Sequence, residues 1–262
     1  MALIQFDFYS QVIGVETSMN VILPQRKSEE DEEDYLFRDE KDKFPVLYLL
    51  HGLSDDHTAW VRKTSIERYV NEMGLAVVMP AVHRSFYTDM VYGYDYWSFI
   101  SEELMEIACR YFPLSSARKD NFAAGLSMGG YGAFKMALRC PEKFAAAASL
   151  SGALDIVRVA EEEDDVGREL SLIFGNVGSL KGSSNDLMAL LKEAADNNIN
   201  LPDLYHCCGT DDFLYHDNLR FINRAQELNI DIKFEEDPGI GHEWSYWDRK
   251  IQRFLNIISL PE

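Results

Sequence analysis

The pentapeptide Gly125-Leu126-Ser127-Met128-Gly129 has the form G-x-S-x-G, and it follows a short apolar run and opens a helix-forming stretch. Glycines on both sides of the serine remove Cβ atoms that would clash where a chain reverses tightly from strand to helix. Such a turn lifts the hydroxyl clear of the strand end and leaves unpaired N–H groups at the helix start, aimed at arriving negative charge. The chemistry this suits is nucleophilic acyl transfer, with the Met128 N–H as one of two donors to the oxyanion. A serine hydroxyl needs a base to take its proton, and the base needs a carboxylate to orient it. On sheets of this kind the partners follow in the order Ser, acid, His.

Three histidines lie after Ser127. His206 falls inside an expected strand and His216 one turn into an expected helix. His242 ends the glycine-rich loop Asp237-Pro238-Gly239-Ile240-Gly241-His242, from which a base can reach back over the serine. For the acid, Asp211 and Asp212 are adjacent just past the Cys208-Gly209 strand end, Asp155 is a third candidate, and spacing does not choose among them. The second oxyanion donor is expected in the loop after the apolar strand Phe44–Leu50. There Gly52, in His51-Gly52-Leu53, would let the Leu53 N–H turn into the site.

The elements that must hold these residues alternate. Leu3–Tyr9 and Met19–Leu23 read as an antiparallel hairpin at a sheet edge. Phe44–Leu50 and Leu75–Met79 are apolar enough for strands buried on both faces. Thr64-Ser65-Ile66-Glu67 fits a capping box opening a helix that stops at Gly74. A helix carrying Ile100, Leu104, Ile107, Ala108 and Tyr111 ends before Pro113. Then follow strand Phe122–Gly125, the serine turn with its helix, and strand Phe144–Leu150. Strand Asp203–Cys208, helix Leu214–Leu228, strand Ile230–Glu235 and a closing helix complete the rhythm. The implied fold is α/β, a mostly parallel central sheet with helices on both faces and an antiparallel N-terminal edge. Ligands in such sheets sit outside the carboxyl ends of the strands, where all the candidates above fall. One domain over 1–262 is expected, with an acidic excursion over about 28–43 and a lid-like insertion over about 153–200 containing one clear helix, Asp186–Ala195.

Composition narrows the class. With 47% hydrophobic and 26% charged residues the chain is globular, and a net charge of −19 argues against nucleic acid or anionic membrane surfaces as partners. The acidic runs Glu29–Asp34 and Glu161–Asp165 read as solvated loops. The N-terminus shows no secretory signal, and no apolar run approaches a bilayer span. Four cysteines without metal-ligand spacing read as free thiols in a reducing compartment, so a cytoplasmic location is expected.

Taken together, the stretches HGLSDDHTAW, YTDMVYGYDY, GLSMGGYGAFKMAL, CGTDDFLY and GHEWSYW resemble the bacterial tributyrin esterases. These belong to the alpha/beta-hydrolase group with S-formylglutathione hydrolase (esterase D), acetylxylan and feruloyl esterases, and mycolyltransferases. The resemblance runs from about Phe6 to Phe254. It implies Ser127 as nucleophile, His242 as base, and, because the acid precedes Phe-Leu-Tyr, Asp212 rather than Asp211. It implies Leu53 and Met128 as backbone oxyanion donors. Trp60, Tyr87, Tyr92, Trp244 and Tyr246 would line the acyl or alcohol pocket, or else pack in the core. Two departures count against a glutathione-thioester hydrolase: Leu53-Ser54-Asp55-Asp56 lacks the threonine–cysteine pair usual there, and Leu126 stands where those enzymes commonly carry histidine.

The expected protein is therefore a serine carboxylesterase acting on short-chain acyl esters through an acyl-enzyme, with a small-molecule ester as partner and without metal or organic cofactor; a homo-oligomer stays open. Alternatives are an acetyl-sugar, xylo-oligosaccharide or feruloyl esterase, then a thioesterase or an acyltransferase, and last an inactive fold kept as a binding module.

Overall fold

The computed structural model describes residues 1–25, 43–162, 165–258 and 260. Eight strands form one sheet in the order β1-β2-β4-β3-β5-β6-β7-β8. They are β1 (Ala2–Tyr9), β2 (Glu16–Leu23), β3 (Val46–Leu50), β4 (Ala76–Pro80), β5 (Asn121–Leu126), β6 (Ala146–Leu150), β7 (Asp203–Gly209) and β8 (Lys233–Asp237). β1 and β2 pair antiparallel, β2 meets β4 antiparallel, and every other pairing is parallel. The helices are α1 (Ala59–Lys63), α2 (Ile66–Asn71), α3 (Tyr96–Ser98), α4 (Leu104–Tyr111), α5 (Met128–Arg139), α6 (Ile156–Glu161), α7 (Asp165–Phe174), α8 (Val177–Leu180), α9 (Leu187–Asp196), α10 (Tyr215–Glu227) and α11 (Trp244–Leu255).

The period-two alternation of strand side chains divides the core into two layers. Val46, Tyr48 and Leu50 of β3 face one layer with Ala123, Phe134, Leu187 and Phe221. Leu47 and Leu49 face the other, with Phe122, Trp60, Ile66, Ile251 and Phe254. Helices α4, α5, α9 and α10 therefore cover one face of the sheet, and α1, α2 and α11 the other.

Register brings the site together. Leu50 of β3 pairs with Gly125 of β5, Leu126 with Leu150 of β6, Leu150 with Cys207 of β7, and Gly209 with Asp237 of β8. The carboxyl ends of five strands thus line up, and the loops leaving residues 50, 126, 150, 209 and 237 share one edge.

Three expectations change in detail. The capping box at 64–67 does not form: Thr64 Oγ1 donates instead to the Trp60 carbonyl at the end of α1, and the Ser65 N–H is taken by Asp248 of α11. The last strand starts at Lys233, not at residue 230, because the Ile230 N–H bonds back to the Ala225 carbonyl after Asn229 turns through φ 56°. Within 153–200, α9 is part of the helix layer, with Leu187, Leu190 and Leu191 buried and its N-terminus capped by Asp186, whereas α7 walls a surface cavity. The acidic excursion expected over 28–43 lies, apart from Lys43, outside the described residues.

Candidate active site

Ser127 joins β5 directly to α5 at φ 53° and ψ −119°, a conformation a non-glycine residue adopts only under constraint, at a cost of about 1–3 kcal/mol. Three backbone hydrogen bonds hold it there: its N–H donates to Leu150 O at 2.9 Å, and its carbonyl accepts from Tyr131 at 3.1 Å and Ala153 at 3.2 Å. The flanking glycines are needed sterically. A Cβ on Gly125 would stand 2.3 Å from the Gly129 carbonyl oxygen, and one on Gly129 would stand 2.4 Å from that of Leu50. Close packing of the turn against the end of β3 is thus built into the pentapeptide.

The β7–α10 loop carries the two adjacent aspartates, and they point apart. Asp211 is exposed and contributes its amide, which donates to the Ile240 carbonyl at 3.0 Å. The Asp212 side chain is fully buried: Oδ1 accepts from the Leu214 N–H at 2.9 Å, and Oδ2 lies 2.8 Å from His242 Nδ1. Asp155 is elsewhere, capping α6 and paired with Arg220.

The β8–α11 loop carries His242 and is interlocked with the aspartate loop. The Gly239 N–H donates to Thr210 Oγ1 at 2.9 Å, the Thr210 N–H donates to the Asp237 carbonyl at 3.0 Å, and a Cβ on Gly209 would lie 2.1 Å from the Ile240 carbonyl oxygen. The imidazole sits between two rings, Phe213 at 4.6 Å and Trp247 at 4.7 Å, the latter perpendicular to it. Trp247 is itself pinned by a hydrogen bond from Nε1 to Ser151 Oγ at 3.1 Å. With an 18% exposed side chain, His242 keeps one edge open while its Nδ1 edge is closed by the carboxylate. His206 is buried in β7, bonded through Nδ1 to Ser149 O, and His216 is exposed on α10.

The loop after β3 lies against the serine: a Cβ built on Gly52 would be 3.8 Å from Ser127 Cβ. Its conformation is fixed from below. The His51 ring is buried, its Nε2 accepts from the Val82 N–H at 3.2 Å, and its Nδ1 therefore carries the hydrogen directed at Gly52 O, 2.8 Å away. Burial lowers the His51 pKa to about 4, so the ring is neutral at physiological pH. Tyr87 OH donates to the His51 carbonyl at 2.8 Å, and Trp60 Nε1 to the Leu50 carbonyl at 3.0 Å. Among the described residues neither the Leu53 nor the Met128 N–H donates a hydrogen bond, so two amides beside Ser127 are unspent.

Of the five aromatic residues expected at a pocket, Tyr92 alone lines the cavity described below and is 71% exposed. Trp60, Tyr87 and Tyr246 are buried and use their polar tips on Leu50 O, His51 O and Asp237 Oδ2. Trp244 stacks edge-on against Trp60 and Trp247. Sequence reading missed Ser151 and gave Trp247 no role beyond its place in the stretch GHEWSYW. A serine at φ 49° directly after a strand leaves no mark in its residue type.

A cavity of about 690 Å³ opens on the Leu53 side of the serine, between the loop after β3, the tyrosine-rich segment 90–96 and α7. Among the described residues no cluster of His, Cys, Asp and Glu could hold a metal ion, and no helix is long and apolar enough to cross a membrane.

The profile of the esterase family described as "Putative esterase" matches residues 10–256. The chain belongs to this family. It is a hydrolase of carboxylic esters with the alpha/beta-hydrolase fold. An acetyl esterase of Caldicellulosiruptor saccharolyticus is 33% identical over 268 residues, covering 99% of this chain and 98% of that protein. Two solved Staphylococcus aureus structures are each 40% identical, with 98% of both chains covered. They are the fluorophosphonate-binding serine hydrolase FphF, substrate bound, at a TM-score of 0.88, and the S-formylglutathione hydrolase FrmB, apoenzyme, at 0.85.

Proposed function

We propose that this esterase is a serine carboxylesterase for short-chain acyl esters, with Ser127 as nucleophile, His242 as base and Asp212 as the orienting acid. The observation that supports the reading best is the buried Asp212–His242 pair, carried on loops that leave the same sheet edge as the strained Ser127 turn and its unspent neighbouring amides. Asp212 Oδ2 holds the proton on His242 Nδ1, which leaves Nε2 as the acceptor for the Ser127 hydroxyl. As Ser127 Oγ attacks the ester carbonyl, the carbonyl oxygen becomes an oxyanion and takes hydrogen bonds from the Leu53 and Met128 amides. Collapse of the tetrahedral species breaks the ester C–O bond. The alcohol leaves with the proton from His242, and Ser127 is left acylated. Water, deprotonated by His242, then attacks the acyl carbonyl and releases the acid. No step calls for a metal or an organic cofactor.

The 33% identical acetyl esterase supports short acyl groups. A thioesterase is the second reading, favoured by the 40% identical FrmB, and hydrolysis of matched oxygen and thio esters separates the two. All four cysteines are free thiols, two of them buried in β7, which supports a reducing, cytoplasmic compartment.

The test is Ser127→Ala. Turnover of p-nitrophenyl butyrate is expected to fall by roughly 10⁴-fold or more, and a fluorophosphonate probe that labels the parent protein should no longer label the variant. Retained turnover would overturn the assignment.

A further inference from the structure

The cavity beside Leu53 carries charge in an uneven way. Arg84 and Glu169 line it and neutralise each other through a two-pronged ion pair. Asp55 also lines it, half-buried, and no ion pair reaches its carboxyl among the described residues. The neighbouring Asp56 is paired with Arg62 at 3.5 Å, so Asp55 is the member of the two without an ion pair; its carboxyl is held by a backbone hydrogen bond from Gly52, with Lys63 and Arg62 as more distant cations. Its Oδ2 is 2.9 Å from the point that a Cβ on Gly52 would occupy, and Ser127 Cβ is 3.8 Å from that same point. The carboxyl therefore lies within about 7 Å of Ser127 Cβ while it lines the cavity.

That side receives a definite part of the substrate. The general acid must touch the leaving oxygen, so the alcohol lies toward His242 and the rings of Phe213 and Trp247 around it. None of those residues lines the cavity. An acyl chain running the other way would pass Leu53 and Asp55 toward Met90, Tyr92, Leu172 and Ile173, which line the cavity.

We infer that this cavity is the acyl subsite and that Asp55 is its specificity-determining residue, admitting uncharged or cationic acyl groups and excluding those that end in a carboxylate. The inference rests on the serine esterase reading above. Two negative charges a few ångströms apart in a partly desolvated cleft repel strongly, whereas the molecule's net charge acts at longer range and is screened by salt. Burial, and then the neighbouring Asp56, raises the Asp55 pKa, as a carboxyl short of solvent and of a cationic partner requires.

The experiment compares kcat/KM for three p-nitrophenyl esters at pH 8 with the same six-carbon acyl chain: hexanoate, the half-ester of adipate, and 6-(trimethylammonio)hexanoate. The wild-type protein should prefer the hexanoate over the adipate half-ester by about tenfold or more, with the cationic ester at least equal to the hexanoate. Asp55→Asn should narrow the hexanoate-to-adipate ratio by about fivefold or more, and the narrowing should persist at 0.5 M salt. Equal wild-type rates on hexanoate and adipate would overturn the inference. So would a discrimination that Asp55→Asn leaves unchanged, since it would then belong to the net charge. Failure of the esterase reading is separately visible: no hexanoate hydrolysis and no fluorophosphonate labelling of the wild-type protein would remove the basis of the inference and overturn both.

Discussion

Replacing Asp212 by asparagine tests the site through one atom. In the native protein Oδ1 accepts the Leu214 N–H at 2.9 Å and Oδ2 accepts from His242 Nδ1 at 2.8 Å, and no solvent reaches the side chain. Asparagine has one acceptor and one donor end, so it satisfies only one of these contacts. With its oxygen toward Leu214, the NH₂ faces Nδ1 and drives the imidazole proton to Nε2, the tautomer that cannot take a proton from Ser127. With the amide flipped, the NH₂ faces the Leu214 N–H, which leaves a buried donor unpaired at a cost of about 1–3 kcal/mol. The first arrangement is the cheaper, because the imidazole adapts by moving a proton and the Leu214 backbone does not. Loss of the correct tautomer is expected to lower kcat on p-nitrophenyl butyrate by roughly 10⁴-fold while KM changes little. Asp211→Asn is the control. Its side chain is exposed and accepts only a 3.3 Å hydrogen bond from the Thr210 hydroxyl, which an asparagine oxygen keeps, so kcat should stay within about threefold of the parent. A tenfold or smaller loss in Asp212→Asn, or a larger loss in Asp211→Asn, would refute the assignment of the acid.

Two further outcomes follow from groups beneath the site. Tyr87→Phe deletes the donor to the His51 carbonyl and leaves that oxygen unpaired in the core, so melting experiments should show a loss of about 1–3 kcal/mol. kcat should fall more than KM rises, since the bond holds the loop proposed to bind the oxyanion and not the substrate. An unchanged kcat would mean the loop does not need it. Acid should destabilise the fold through His51 and His206, whose pKa values burial lowers from 6.5 to about 4. Between these values the unfolded chain binds protons that the folded rings refuse, so stability falls as the pH drops through this window, on the order of 3 kcal/mol for each ring. In His206→Asn, whose side-chain amide can replace Nδ1 at Ser149 O, urea unfolding at pH 7 and 4.5 should show a difference smaller by about half that combined loss. An identical pH dependence in both proteins would refute the account.

What the sequence reveals about such a site depends on how far the deciding interaction reaches. The serine turn is legible because its steric demands are met by the residues on either side of Ser127. Strand order and the edge that carries the loops are legible because apolar runs alternate with amphipathic ones, and a parallel sheet then leaves little freedom. The choice between Asp211 and Asp212 is not local. It turns on which carboxyl the loop aims at His242, thirty residues downstream, and the residues alone leave it open, with only the family likeness pointing to Asp212.

The pocket aromatics show the same boundary from the other side. Tyr87 and Trp60 have residue types suited to lining a cleft, yet each places its one polar atom on a carbonyl at the end of β3, ten to thirty-six residues away, and is thereby committed to the interior. The capping box at 64–67 fails because its threonine is already engaged: the Thr64 N–H and hydroxyl both donate to the Trp60 carbonyl of the preceding helix. A propensity worth a fraction of a kcal/mol loses to a hydrogen bond that packing has made available. It follows that the residues behind the site are where local pattern is weakest. Tyr87 holds the His51 carbonyl, and Ser151 and Trp247 hold the His242 ring, so substitutions there should alter the position of His51 and His242 before they alter any contact with substrate.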